Sequence, residues 1–393
     1  MLFVLFFLAP LDWLLMTLFV CTEFIGRLLR RVSPQEAPAF PLPRPECSFV
    51  MISWNGRKVL SESLPALLLA VRKHGGDHEV IVVDSHSTDG SEEFIRKRFP
   101  EVRVIRSEQN LYFGGSNRRG ISLAKRDILV LMNSDTVVDP GFIDPLLAGF
   151  QDSSVFGVAS LVRAAGSMAC ESGKTIARFD GCDLEWEHEP IRSENEGQEY
   201  SPVFWLHRGA FAMDRRKYWW LGGLDELYDP FYLEDADLSY RAWKVGWKCL
   251  LSFASHVSHQ HAINVSRNHA LRMTSTGEPF VRLVVRRNQY IFFWKNLDSF
   301  SMLLKHGWRS AAMRIRRAQV SPSRARVEAH SFLAALKRVP SILKRKLALA
   351  PRVVRTDGEI FQLFACQWRN AEALSGQLES EPPNVRESPI VEA

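Results

Sequence analysis

The chain has 393 residues, with 50 Lys and Arg against 44 Asp and Glu, a formal charge of +6. Apolar residues make up 46% and charged residues 24%, proportions that exclude a wholly disordered or a collagen-like chain. Only one stretch is apolar enough to span a bilayer, which excludes a polytopic membrane protein, and the length allows one large domain or two ordinary ones. The six cysteines, Cys21, Cys47, Cys170, Cys182, Cys249 and Cys366, form no CxxC. They make neither a zinc ribbon nor a disulfide framework and fit a reducing compartment.

The chain opens with MLFVLFFLAPLDWLLMTLFV, in which thirteen of twenty residues are Leu, Phe or Val. That length suits a bilayer crossing. Asp12 costs roughly 2.5–3.5 kcal/mol at mid-span, and thirteen residues worth about −0.3 to −0.6 kcal/mol each offset it. Residues 1–31 are therefore predicted to form an uncleaved membrane anchor, with Pro10 and Asp12 leaving a re-entrant segment open. No basic stretch precedes the apolar run, which argues against a signal peptide. Arg27, Arg30 and Arg31 behind it place the following chain on the cytoplasmic side. Residues 32–46, with five prolines between Ser33 and Pro45, read as a stiff linker.

From Cys47 the pattern alternates. Cys47–Ser53, Glu79–Asp84, Val102–Arg106 and Asp127–Met132 are short apolar runs suited to buried strands. Between them Leu60, Leu64, Leu67, Leu68 and Val71 recur at helical spacing, Thr88 and Asp89 precede a helix carrying Phe94 and Ile95, and Gly115–Ala124 reads as a third helix. Such alternation predicts an α/β fold with a mostly parallel sheet covered on both faces. Ligands bind such sheets outside the carboxyl ends of the strands. Those ends carry Ser53-Trp54-Asn55-Gly56, Asp84 through Gly90, and Asn133-Ser134-Asp135-Thr136. Each alone is an ordinary strand-to-helix turn; together they point to a polar site. Neither GxxxxGK[ST] nor GxGxxG occurs there, so a P-loop or dinucleotide site is not supported.

An ordered set of motifs now carries a resemblance. SWNG (Ser53–Gly56), VDSHSTDG (Val83–Gly90), NLYFGGSNRRG (Asn110–Gly120), LMNSDT (Leu131–Thr136), GGLDE (Gly222–Glu226), LEDADLSYRAWKVGW (Leu233–Trp247) and VSH (Val257–His259) follow in sequence. The chain resembles family 2 glycosyltransferases with the GT-A fold, especially the rhamnosyltransferase-like bacterial branch, from about Cys47 to Asn296. It departs from the family pattern at Ser85, where Asn is usual, at Tyr112, where Gly is usual, and in the Asn133-Ser134-Asp135 form of the DxD motif.

The resemblance implies a Rossmann-like domain over residues 47–300 and a role for each matched residue. Asp84 meets the nucleotide base or ribose, and Asn55, Asp89 and Asn133 join it on the donor side. Asn110, Gly114, Gly115 and Asn117 border the nucleotide. Asp135 and His259 hold Mg2+ or Mn2+, which neutralises charge developing on a nucleoside diphosphate leaving group. A zinc site built from His256, His259 and His261 is the competing metal reading. Asp235 is the general base that takes the acceptor hydroxyl's proton, with Glu234 contacting the acceptor. Gly222, Gly223 and Asp237 lie on the acceptor side, and Arg241 pairs with these acids or meets phosphate.

Residues 301–374 read as a basic amphipathic helical region: Ser301–Arg355 holds fourteen Lys or Arg and one acid, Glu328. An anionic membrane leaflet or a lipid pyrophosphate acceptor fits that charge, and no motif supports nucleic acid. Residues 375–393, rich in Glu, Pro and Ser, read as a disordered tail. The expectation is an inverting, metal-dependent glycosyltransferase at the cytoplasmic face of the inner membrane. It takes dTDP-rhamnose or a UDP-sugar as donor and a lipid-linked glycan as acceptor. The rival readings are a nucleotidyltransferase using the same sheet edge and a non-catalytic membrane-bound nucleotide-sugar binder.

Overall fold

The computed structural model describes residues 2–164, 170–172, 174–189, 199–207, 209–259, 278–320 and 322–378. A long helix, Leu2–Val32 (α1), comes first. The predicted alternation follows as β1 (Cys47–Ser53), α2 (Arg57–His74), β2 (Glu79–Asp84), α3 (Ser91–Arg98), β3 (Arg103–Arg106), α4 (Tyr112–Ser122) and β4 (Ile128–Asn133). β1 is flanked in parallel by β2 and β4, and β3 joins the outer side of β2. The helices lie on this sheet through the positions that the spacing singles out: Leu60, Leu64, Leu67 and Leu68 of α2 are buried. Gly120 of α4 sits so close to Val50 and Val83 that a Cβ there would come within 2.4 Å of Val50 Cγ1. In register, Ser53 faces Asp84 and Ile52 faces Asn133, so three polar strand ends share one edge.

The second half comprises β5 (Thr136–Val138), α5 (Ile143–Ala148), β6 (Val155–Ala164), β7 (Cys170–Ser172), β8 (Lys174–Phe179), β9 (Leu184–Glu189), β10 (Tyr200–Pro202), β11 (Ala210–Asp214), α6 (Arg215–Trp220), α7 (Glu234–Lys244) and β12 (Lys248–His259). The sheet order is β10-β12-β6-β11-β4-β1-β2-β3, and β8 and β9 form a separate hairpin. Here the mostly parallel expectation is corrected. β11 runs antiparallel to both β4 and β6, β12 runs antiparallel to β5 and β10, and among the described residues of this half only β6 and β12 pair in parallel. The sheet is mixed. Strands such as β11, buried along its whole length, read as continuous apolar runs whichever way their neighbours point, so composition does not give direction.

Four further helices, Glu278–Asn296, Phe300–Val320, Pro322–Leu336 and Val339–Leu349, pack on one another and on α1, and Asp357–Leu378 packs on β8. Leu15, Met16 and Phe19 of α1 belong to the main hydrophobic core, and Phe19 packs on Trp294 with ring centroids 5.6 Å apart and the rings tilted by 32°. Asp12 accepts two hydrogen bonds from Arg314 at 2.6 and 2.7 Å, and both residues are buried. Among the described residues no helix is long and apolar enough to cross a membrane. The Pro-rich residues 33–46 run along the domain: Gln35 N donates to Pro351 O, and Arg216 donates to Pro41 O.

Much of the C-terminal positive charge meets acids inside the molecule. Arg317 contacts Asp183 and Glu328, Arg345 contacts Asp225, and Lys346 approaches Glu23. Residues 375–378 of the predicted tail complete the last helix, and residues 379–393 lie outside the described residues.

Candidate active site

The strand-end loops are tied to one another before any ligand is considered. Asn55, in a left-handed conformation (φ +50°), accepts from Thr88 N through Oδ1 and donates its own N–H to Ser87 Oγ. Asp89 accepts from Arg57 N and from the Ser91 hydroxyl and N–H. Partial burial pushes the Asp89 carboxyl up, but these hydrogen bonds outweigh it and hold it below the usual carboxylate range. Asp84, fully buried, accepts from Ser87 N and from Arg106 at 3.1 Å. Asn55 and Asp89 also border a shallow cavity of about 370 Å3 with Arg57, Lys58, Ser61 and Phe94, which Asp135 and His259 do not line.

The two departures in the next loop have local explanations. Ser85 donates to Asn110 Oδ1 and accepts from Leu111 N and the Ser116 hydroxyl, so a short hydroxyl stitches β2 to α4. Tyr112 holds φ +54°, where a side chain is strained and glycine is not. Gly114 makes its close approach to the chain itself: a Cβ there would lie 2.7 Å from Asp229 Oδ1. Gly115 lies beneath Leu111, and Asn117 is buried with its amide on Phe113 O.

At the other side of β1, the sheet brings three predicted residues together. Asn133 ends β4, Asp135 lies in the turn directly before β5, and His259 ends β12, which pairs with β5 so that His259 faces Thr136. His259 Nε2 lies 3.1 Å from Asp135 Oδ1 and 3.5 Å from Asn133 Nδ2. One carboxylate and one imidazole suit a divalent cation that takes its other ligands from phosphate and water. No group of three or more His, Cys, Asp or Glu able to hold a metal occurs among the described residues. His256 lies on the opposite face of β12, beside Arg163 and Asp139, so it does not join His259 as the zinc reading requires; His261 lies outside the described residues.

The acidic run at the start of α7 is divided by burial. Asp235 is partly exposed, and Glu234 is buried. Asp237 is fully buried and accepts from Tyr228 Oη, Arg241 Nε, Lys295 Nζ and Asn296 Nδ2 at 2.8–2.9 Å. Burial drives its carboxyl up, yet Arg241 and Lys295 outweigh burial and hold it well below the usual range. Arg241 also donates to Leu221 O and Gly223 O. Of the two roles considered for Arg241, it therefore takes the pairing, and it braces the turn in which Gly222 and Gly223 hold φ +84° and +68°. Asp237 and Arg241 are thus paired inside the molecule, while Asp235 stays partly exposed.

Sequence reasoning missed what holds the backbone that leads into Glu234. Tyr232 and Leu233, immediately before Glu234, both hold φ +71°. Asn288, from the helix Glu278–Asn296, donates to the carbonyls of Tyr228, Phe231 and Tyr232. Arg287 donates to Asp229 O, and Arg118 of α4 pairs in bidentate fashion with the Asp229 carboxylate. α4 and the loop before Asp235 are therefore clamped together. No motif marks Asn288; two consecutive left-handed non-glycine residues are the structural signal.

Comparison with known proteins follows the same lines. Residues 48–221 match the model described as glycosyl transferase family 2. The chain is 25% identical over 248 residues to N-acetylglucosaminyl-diphospho-decaprenol L-rhamnosyltransferase of Mycobacterium tuberculosis, covering 58% of this chain and 80% of that protein. It is 27% identical over 198 residues to polypeptide N-acetylgalactosaminyltransferase 11 of Xenopus tropicalis, covering 46% of this chain and 32% of that one. Among solved structures, GalNAc-T7 with UDP, GalNAc and Mn2+ superposes with a TM-score of 0.53 at 17% identity, over 75% of this chain and 56% of the solved one. That likeness gives the fold, which is GT-A. The ordered motifs, the strand-end geometry and the family match agree: residues 48–221 carry a glycosyl transferase family 2 domain.

Proposed function

We propose that the chain is an inverting, metal-dependent glycosyltransferase that moves a sugar, rhamnose from dTDP-rhamnose ahead of sugars from UDP donors, to a hydroxyl of a lipid-linked glycan during cell-surface polysaccharide assembly. The observation that carries the reading is the meeting of Asp135 and His259, 3.1 Å apart at the edge where β1, β2 and β4 end. The likeness to a rhamnosyltransferase whose name specifies a diphospho-decaprenol acceptor supports the donor and acceptor classes.

In this reading Asp84 and the Asn110–Asn117 segment border the nucleotide. Asp135 and His259 hold Mg2+ or Mn2+, whose chemistry is to neutralise charge on the departing diphosphate. Asp235 removes the acceptor hydroxyl's proton as that oxygen attacks the anomeric carbon and the bond to the diphosphate oxygen breaks. Attack opposite the leaving group inverts the anomeric centre. Glu234 orients the acceptor from beside the base.

The test is a panel of nucleotide sugars incubated with the purified chain and Mn2+, Mg2+ or EDTA, with release of nucleoside diphosphate as the readout. Metal-dependent release from one donor is expected. Nucleotide binding with no turnover, even with lipid-linked acceptors present, would favour a binding protein instead.

A further inference from the structure

We infer that the outer face of α1, together with Leu304 and Trp308, rests in the plane of an anionic lipid surface, so that α1 lies on a membrane and does not cross it. This deepens the membrane-side part of the proposed reading and rests on it for the choice of setting. The surface itself stands on separate observations.

One side of α1 is committed to the protein. Asp12 is locked by Arg314, Met16 presses against Gly307 so closely that a Cβ at position 307 would lie 2.2 Å from Met16 Cγ, and Phe19 packs on Trp294. Withdrawing α1 into a crossing would strand Arg314, whose guanidinium lies buried over the Phe332 ring, without its counter-ion.

The other side is bare and apolar. Trp13, Leu14, Leu18, Phe24, Ile25 and Leu28 are all exposed, a continuous stripe at helical spacing. From Trp13 to exposed Val32 it runs for about 28 Å at the α-helical rise. Alongside it, Leu304 and Trp308 are exposed on the neighbouring helix Phe300–Val320. Trp308 meets Trp13 edge to face, with centroids 6.3 Å apart, and both rings are more than half exposed. Indole pairs of this kind suit the headgroup boundary, where one edge is apolar and the other wet.

Charge selects the occupant. The only acids of α1 are Asp12 and Glu23, both buried, one paired with Arg314 and the other with Arg27 and Arg30. The helix Phe300–Val320 has no acid at all. What remains at the surface of the two helices is Arg27, Arg31, Lys305, Arg309 and Arg316. An apolar stripe on two helices whose exposed charges are all cations matches acyl chains beneath anionic headgroups. The same edge repels a second copy of itself, which disfavours a symmetric dimer through this face.

The experiment is flotation of the full chain with phosphatidylcholine vesicles, with and without phosphatidylglycerol. Binding is expected to the phosphatidylglycerol vesicles, to weaken in high salt, and to be released by alkaline carbonate. Leu14→Glu with Trp308→Glu, both at exposed positions, is expected to lower partitioning by about tenfold or more, the scale of losing a few buried apolar groups, while donor hydrolysis stays at the wild-type rate. Phe24→Glu, more than a helical turn away, is expected to act in the same direction. Retention through carbonate would overturn the inference in favour of a crossing. Equal partitioning of the double variant, or no binding to phosphatidylglycerol vesicles, would overturn it outright. Loss of donor hydrolysis with vesicle binding intact would count against the enzyme reading alone.

Discussion

Asn288 donates from its side-chain amide to the carbonyl of Tyr232 at 2.8 Å, reaching from a helix beyond the family motifs to the residue two positions before Glu234. The same amide holds Tyr228 O and Phe231 O. One side chain thus fixes the backbone that leads into the acidic pair. Asn288→Ala leaves these carbonyls without that donor, at a cost of about 1–3 kcal/mol, and loosens the approach to Asp235. Turnover is expected to fall by roughly ten- to hundredfold, the scale of a small misplacement of a reacting group, with little change in donor KM. Asn288→Asp keeps the shape but offers no donor, and is expected to lose as much. Steady-state kinetics beside a thermal melt check both.

The two aspartates at the start of α7 are expected to separate by phenotype. Asp237→Asn weakens the counter-charge for buried Arg241 and Lys295 and is expected to destabilise the fold by about 3–5 kcal/mol, as breaking a buried pair does. Asp235→Asn, at a partly exposed position, is expected to melt within about 0.5 kcal/mol of the parent and to lose about 10²–10⁴ in rate, the contribution of a general base. Denaturant melts and rates measured on one preparation of each variant distinguish them. A stable, active Asp237→Asn would remove Asp237 from its structural role.

Asp135→Ala and His259→Ala are expected to act alike. Each should weaken nucleoside diphosphate binding in Mn2+ by more than the roughly 10–100-fold that loss of even an outer partner of a metal costs. Each should leave binding in EDTA near that of the parent. Calorimetric titration with and without the metal measures this. A variant whose affinity still depends on Mn2+ would take that residue out of the metal site.

His306 gives the molecule an acid-sensitive core. It is buried, with its ring 4.8 Å from that of Phe293, and burial, with nearby Arg286, pushes its pKa down from 6.5 to about 3. The folded state holds it neutral while the unfolded chain binds a proton, so its stabilising contribution is full above pH 6.5 and falls as pH drops toward 3. The slope from this one group approaches 1.4 kcal/mol per pH unit. His306→Phe is expected to flatten the loss of melting temperature across that window. An unchanged pH profile would show that His306 is not the group titrating there.

The parallel half of the fold was legible because strands covered on both faces must be apolar throughout, and β1 and β2 fall on the predicted residues. Asp135 and His259 were legible as a pair only through motif order, and β12 pairing with β5 is what joins them. Burial was not legible. Only the resemblance told Asp235 from Asp237, and the partners that hold Asp237 in the core include Lys295 and Asn296, from a helix carrying no motif. Hydropathy, which counts residues without regard to partners, predicts an anchor at the N-terminal helix, and no described helix is long and apolar enough to cross a membrane. Arg314, some three hundred positions later, accounts for Asp12.

The central claim is tested most directly by following one transfer reaction, from the nucleotide sugar that the chain hydrolyses to a lipid-linked acceptor, by NMR of the product's anomeric centre. The account predicts a glycosidic bond of configuration opposite to the donor's, formed in the presence of Mn2+ and reduced at least about a hundredfold by Asp235→Asn. A product that retains the donor's configuration, or an Asp235→Asn protein that transfers at the parental rate, would contradict it.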